Sequence, residues 1–334
     1  MWDRVSSVAF DRMKTRSVKK KNVDLRGLQS IAVMLMVGVL ACGKDGPDGM
    51  VWLDAGPVVS VDAAADAAQE GMELGVPGRV VASPCLGCSL WVWEGDRKTQ
   101  ITEGVGIYPA WSPDGERVAF ISPGEMGPKL QIANRDGTLL DDFLGYGVYP
   151  AWSPDGERIA LSQTNMSGVM DVVLINVSDG HISMLAENGS LPSWSPDGTK
   201  IVFSRQESMT GMLPDHTLFI IDVETKTETM LTAGSNPRWS PDGEKIAFLH
   251  PDPERSAPSG DIPPVNFFTI HPDGSNQEEI YASNQPFDGF LFGLNGIHGW
   301  SSNSQQLLFT EWIEENNMVH AESHLLNLNN STTL

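Results

Sequence analysis

The sequence predicts an all-β fold, a β-propeller of four-stranded antiparallel blades, on three observations. The stretch Tyr108-Pro-Ala-Trp-Ser-Pro-Asp-Gly115, continued as Glu-Arg-Val-Ala-Phe-Ile-Ser122, recurs from Tyr149, Leu191 and Asn236, with a worn copy from Ile297. Its tryptophans, Trp111, Trp152, Trp194, Trp239 and Trp300, are spaced by 41, 42, 45 and 61 residues. A period of about 40–45 residues is that of a four-stranded propeller blade. Finally, a second strand–turn–strand pattern follows each copy, such as Leu130–Gly137, Val173–Gly180 or Phe267–Gly274, so each period supplies two hairpins.

Each part of the repeat has a physical reason. Ser-Pro-Asp-Gly is a tight turn: proline presets φ, the aspartate (Asp114, Asp155, Asp197 or Asp242) bonds nearby amides, and glycine closes it. The run after the turn, Arg117–Ile121 in the first copy, is β-branched or aromatic and reads as a strand. The residues before the turn are its antiparallel partner and carry the tryptophan inward. A buried tryptophan removes roughly 150–250 Å² from water, so these five are expected to join neighbouring blades, and Trp→Ala is expected to cost about 3–5 kcal/mol.

The W-S-P-D-G-x-x-[IV]-A-F copies resemble the repeats of TolB-type β-propellers, which also occur in the non-catalytic propellers of prolyl-oligopeptidase-like enzymes. The resemblance covers about residues 79–334 and specifies a scaffold more than a function, because one fold hosts many roles. True TolB carries a separate α/β domain before its propeller, for which the residues ahead of this one leave no room, so the dedicated partners of TolB are not carried over.

The chain opens with a targeting segment, 1–41. Met13–Lys21 is basic, and Leu28–Ala41 is a mostly apolar stretch too short to span comfortably as a transmembrane helix. It ends in Val39-Leu40-Ala41-Cys42-Gly43, which resembles a bacterial lipobox; the resemblance implies cleavage before Cys42, acylation of its sulfur and, with Gly43 following, sorting to the outer membrane. An outer-membrane lipoprotein facing the periplasm or the surface is therefore expected. Residues 42–78, rich in Gly, Pro, Asp and Ala, read as a flexible acidic tether, although Val58–Val61 is apolar enough for a stray strand. The propeller follows over 79–334. Its first blade, from Arg79–Ala82, Leu90–Trp93 and Lys98–Ile101, lacks the W-S-P-D-G turn. Counted with the five repeats it makes six blades, with five as the alternative; either Val58–Val61 closes the ring or the innermost strand of that blade is missing. Cys85 and Cys88, between its first two strands, are expected to form a local disulfide in an exported chain.

Charge narrows the partners. The chain has 22 basic and 43 acidic residues; beyond residue 41 the balance is 14 against 40, a net of −26. Such a surface repels phosphate backbones and anionic headgroups, which argues against nucleic acid. A basic protein, a divalent cation or a neutral glycan is compatible.

In an up-and-down blade, the connections between first and second hairpins emerge on one face together with the links between blades. Here they lengthen sharply: Gln163–Met170, Gln206–Asp215, His250–Pro264 and Glu311–Met318, joined by the link Tyr281–Leu294. Insertions gathered on one face of a repeat protein mark a binding face. Trp312, Phe287, Phe290 and Phe292 are its candidate apolar anchors, with His250, His298 and His320 beside them. No G-x-S-x-G elbow, H-E-x-x-H pattern, phosphate loop or calcium loop occurs, so no catalytic residue, metal ligand or cofactor is assigned. The reading is a monomeric binding or scaffold module for an envelope protein, held to the membrane by its N-terminal lipid. The alternative is a metal-dependent hydrolase or lyase acting on a glycan or peptide at the channel mouth, the three histidines gathering as in the oligogalacturonate-lyase-type propellers that the chain also resembles.

Overall fold

The computed structural model describes residues 58–62, 79–83, 89–94, 97–210, 213–251, 264–286, 296–315, 318–328 and 332–333. All regular elements in them are strands, grouped into four-stranded antiparallel sheets. The fold is an all-β propeller.

The first sheet takes β1 (Val58–Asp62), β2 (Arg79–Ser83), β3 (Trp91–Glu94) and β4 (Arg97–Gln100). The second takes β5 (Ile107–Trp111), β6 (Arg117–Ser122), β7 (Lys129–Asn134) and β8 (Leu139–Tyr146). The third is β9 (Val148–Trp152), β10 (Arg158–Thr164), β11 (Met170–Asn176) and β12 (Ile182–Ala186). The fourth is β13 (Gly189–Trp194), β14 (Lys200–Thr210), β15 (Leu213–Asp222) and β16 (Glu228–Ala233). The fifth is β17 (Ser235–Trp239), β18 (Ile246–Pro251), β19 (Pro264–Ile270) and β20 (Glu278–Pro286). The last is β21 (Gly296–Trp300), β22 (Gln306–Glu315), β23 (Met318–Asn327) and β24 (Thr332–Thr333). Blades built on the repeat number five, as counted in the sequence, so the expected six is met only in part. The sheet β1–β4 has no such turn, and β1 comes from the stretch assigned to the tether.

The turn works as its chemistry requires. In the third sheet the Gly156 amide donates to the Ser153 carbonyl at 2.9 Å, and the Glu157 amide donates to Asp155 Oδ1 at 2.9 Å. The Ser153 hydroxyl donates to the same carboxylate and accepts from the Arg158 amide at 2.9 Å. Ser195 and Asp197 repeat the arrangement, as do Ser112 with Asp114 and Ser240 with Asp242. In the worn copy Asn303 stands in for the aspartate, accepting from the Ser301 hydroxyl and the Gln305 amide.

Tryptophan joins one sheet to the next. The indoles of Trp152 and Trp194 each donate to a carbonyl of the preceding inner strand, Ala110 and Ala151, at 3.1 Å, and Trp300 donates to Arg238 at 3.0 Å. Arg117 and Arg158 lie over the Trp152 and Trp194 rings at 4.7 and 4.9 Å, adding a cation–π contact to two joints. Trp239 differs: its indole donates within its own turn, to Gly243, and its amide bonds the Ser193 hydroxyl. Trp111 Nε1 is buried without a hydrogen-bond partner among the described residues, which matches the missing repeat in the sheet before it. The core lies between sheets, in clusters such as Ala160, Val172, Trp194, Ile201 and Phe203.

Candidate ligand site on the propeller axis

The three residues before each tryptophan lie on the innermost strand of their sheet, the one that adjoins its counterparts in the neighbouring sheets around the axis, and a backbone irregularity falls among them. The pairing of every repeat-bearing inner strand with its neighbour slips just ahead of the tryptophan. A bulge of this kind re-aims side chains. Four residues at the slip take the left-handed conformation although none is glycine: Tyr108 (φ 51), Tyr149 (φ 58), Leu191 (φ 56) and Asn236 (φ 52). Non-glycine residues there carry a backbone cost of order 1 kcal/mol or more, so the surrounding structure holds them. Part of that hold is the bond each of Leu191 and Asn236 makes from its amide to a buried serine hydroxyl of the preceding sheet, Ser162 at 3.0 Å and Ser204 at 3.2 Å.

Tyr108 and Tyr149 meet with ring centroids 4.4 Å apart. Burial, then their mutual interaction, raises the Tyr108 phenol well above its ordinary value; burial likewise raises Tyr149. Both are neutral at physiological pH. The position next to the tryptophan is small in four copies, Ala110, Ala151, Ser193 and Gly299, but in the fifth sheet it is Arg238. From β17 the guanidinium lies near enough to interact electrostatically with Tyr149 of β9, two sheets earlier. Its one protein hydrogen bond is from Nη1 to the Pro237 carbonyl at 2.9 Å, and it forms no salt bridge among the described residues. Burial depresses its pKa to about 10, which leaves it charged at neutral pH.

His298 completes the group. Its Nε2 lies 2.7 Å from Thr310 Oγ1, and burial followed by the nearby Arg238 charge pushes its pKa down to about 3. The imidazole is neutral. Asn236 Oδ1 is buried with no hydrogen-bond partner among the described residues. One cation, two phenols and a neutral imidazole therefore stand on the inner strands within electrostatic reach of one another, and the cation has no carboxylate partner among the described residues.

The candidates from the sequence are distributed differently. Of the histidines, His298 reaches the axis. His250 lies on β18, edge-on to Phe268 at 6.1 Å, and His320 lies on β23 opposite Ile313 of β22. No three His, Cys, Asp or Glu side chains gather to hold a metal among the described residues. Trp312 lies on β22 opposite Ala321. Phe287, Phe290, Phe292, Cys42, Cys85, Cys88 and most of the 250–264 connection lie outside the described residues.

Two connections read as loops are strands. β14 and β15 continue past their sheet: the outermost pairings with β13 and β16 are Gly189↔Arg205 and Thr217↔Ala233, whereas β14 and β15 go on pairing from Gln206↔His216 to Thr210↔Leu213. β22 and β23 do the same from Glu311↔Glu322 to Glu315↔Met318, beyond the last partner on β21, Gly296↔Thr310. Each is a two-stranded ribbon.

A cleft of about 500 Å³ lies on the outside of the third and fourth sheets, lined by Met184, Asn188, Arg205, Lys226 and Glu228 among others. Its cations are already engaged. Arg205 grips Glu228 through two bonds of 2.9 and 3.0 Å and also donates to the Glu187 carbonyl, and Lys226 donates to the Met184 carbonyl. Among the described residues Arg238 has no carboxylate partner, whereas both cations of the cleft are engaged.

Sequence reasoning missed Tyr108, Tyr149 and Arg238. The available signal was the variation within the repeat itself, an arginine where the other copies carry alanine, serine or glycine.

Residues 93–250 match the family model described as the TolB beta propeller domain. The chain carries a TolB-like β-propeller. Among solved structures, TolB from Acinetobacter baumannii is similar with a TM-score of 0.57 at 16% identity, covering 73% of this chain and 58% of that one. The chain thus spans less than two thirds of that protein's length. A putative TolB from Agrobacterium tumefaciens gives 0.53 at 17% identity over 81% of this chain and 97% of its own, and a nidogen/laminin complex gives 0.51 at 10% identity over 74% and 88%. Identities this low show the fold alone. No curated protein matches the sequence.

Proposed function

We propose that the chain is a lipid-anchored envelope β-propeller acting as a protein-binding or scaffold module through the face where its long connections emerge. The layout is a signal segment over 1–41, acylation at Cys42, an acidic tether and a propeller. The ring has six blades, the sheet β1–β4 serving as the irregular one. The adjacency of β1 to both β5 and β21 supports this closure, because it seats Val58–Asp62 between the first and last repeat-bearing blades. The lipobox-like Val39–Gly43 and the basic and apolar segments before it support the anchor.

The observation that carries the binding role is the pair of ribbons, β14–β15 and β22–β23, prolonged past their sheets on the same face as the inter-blade links. Nothing in the blade's own pairing requires those extra residues. A two-stranded ribbon leaves backbone donors and acceptors free along its edges, the chemistry by which an extended partner segment is taken up. The strongly acidic surface favours a partner with a basic contact region.

The test compares the full chain with two variants, in which 206–216 or 311–322 is replaced by a tight turn, as baits for envelope proteins. Capture of one protein by the full chain and its loss in a ribbon variant of unchanged thermal midpoint supports the reading. Equal capture by all three contradicts it. The competing reading, a metal-dependent hydrolase or lyase, requires stoichiometric metal and an activity that falls on His250→Ala or His298→Ala.

A further inference from the structure

We infer that the axis of the propeller is a carboxylate-binding site, in which Arg238 takes the anion and the Tyr108–Tyr149 pair supplies a neutral donor beside it. The inference deepens the binding-module reading and rests on it: the bound partner presents a carboxylate to the channel.

The argument begins with charge. The chain carries 43 acidic and 22 basic residues, and Arg117, Arg135, Arg158 and Arg205 all lie within 4 Å of a carboxylate oxygen. Arg238, the arginine on the axis, has no such partner among the described residues and donates only to the carbonyl of its neighbour Pro237. Removing a guanidinium from bulk water without a counter-charge is costly. The cost falls away once an anion arrives. The sequence offered the position an acid-free alternative four times over, as Ala110, Ala151, Ser193 and Gly299, so nothing in the repeat demands arginine there.

Geometry selects the class of anion. A guanidinium presents paired N–H groups that match the two oxygens of a carboxylate. The Tyr108 and Tyr149 rings meet at 4.4 Å and both phenols are neutral, so the pair brings O–H groups that can donate to a ligand oxygen. His298 is neutral and held by Thr310, so it adds no second charge. One fixed positive charge inside a strongly acidic protein suits a singly charged carboxylate and disfavours a doubly charged phosphate. Tyr108, Tyr149, Asn236 and His298 all stand at the start of their inner strands, the end that receives the inter-blade links, so the site opens toward the ribbon face.

The experiment is calorimetric titration of the full chain with sodium acetate at constant ionic strength, sodium chloride making up the balance. Inorganic phosphate, a short peptide with a free C-terminus, its amidated form and an amidated peptide bearing one internal aspartate are run in parallel. Saturable acetate binding, weakened at least tenfold by Arg238→Met, is the expected result, and Tyr149→Phe is expected to weaken it severalfold. Binding by the free but not the amidated peptide assigns the carboxylate to a chain terminus. Binding by the aspartate peptide assigns it to a side chain, and binding by acetate alone assigns it to a small acid. Absence of saturable acetate binding, equal binding by Arg238→Met, or a preference for phosphate overturns the inference. Melting of Arg238→Met at or above the wild-type temperature shows that the variant is folded. If ribbon-dependent capture of a protein persists while acetate fails to bind, this inference falls and the binding-face reading stands. If acetate binds through Arg238 while the ribbons are dispensable, the reverse holds.

Discussion

Arg238 and His298 depart from the repeat that surrounds them, and each departure has a measurable consequence. Arg238 is a charge without a counter-ion, so Arg238→Met, close in length and apolar, is expected to stabilise the fold by roughly 0.5–2 kcal/mol. Chemical denaturation checks this, and a loss of stability instead would mean that the guanidinium is satisfied. His298 faces Arg238 and Thr310 and takes up a proton only near pH 3, against an ordinary value of 6.5. The unfolded chain therefore binds that proton first, and stability is expected to fall as pH drops from about 6.5 toward 3. His298→Gln should flatten this limb in melts at pH 7 and pH 5. It should leave the separate loss below pH 4, where Asp155 and Asp197 protonate. Their serine partners, Ser153 and Ser195, and the Glu157 and Thr199 amides hold both carboxyls below the usual 3.8, so their contribution is complete above that value and disappears as pH falls through the lowered one. Trp194 donates to Ala151 and packs under Arg158, whereas Trp111 Nε1 has no such bond. Trp194→Phe is thus expected to cost about 1 kcal/mol more than Trp111→Phe, by the same melts.

At the scale of the element, the turn and its strands were legible because their chemistry is local: Ser153, Pro154, Asp155 and Gly156 need only one another and the next two amides. The axis was not legible, because the meaning of Arg238 depends on a fold that brings β17 within reach of β9, two sheets away. The ribbons were legible as length and misread as loops, since Gln206–Asp215 holds Ser, Gly, Pro and Asp, residues that signal turns, and the pairing of Met209 with Pro214 follows only once β14 and β15 are already aligned. A further element-level regularity stands five residues before each of four tryptophans: Gly106, Gly147, Gly189 and Gly234. At Gly234 (φ 150) an added Cβ would lie 2.5 Å from Phe248 Cδ2, and at Gly189 2.7 Å from Phe203 Cδ2. Gly189 and Gly234 let the chain pass directly over the aromatic ring of the second strand, and Gly147 does the same over Leu161. Gly234→Ala is expected to cost about 1–3 kcal/mol through overpacking, read as a lower denaturation midpoint.

On the scale of the whole molecule, the proposed ring closure turns five residues of an apparent linker into a structural part. Val58–Asp62 pairs with Arg79–Ser83 in full register and lies beside both β5 and β21. Deleting 58–62 should therefore lower the melting temperature and broaden the transition, whereas deletion within a mere tether would change neither. The sequence marked Val58–Val61 as apolar enough for a strand and offered it as the one that closes the ring, but left the pairing open, because sixteen residues between β1 and β2 are too many for a tight turn to fix it. In the proposed reading, the ring, the two ribbons and Arg238 together hold a partner. The measurement that addresses this most directly is hydrogen exchange of the full chain with and without the captured envelope protein. Protection is expected along Gln206–His216 and Glu311–Glu322 and at the amides of Tyr108 and Tyr149. Protection confined to the outer strands β12 and β16, with the ribbons exchanging as in the free chain, would contradict the account.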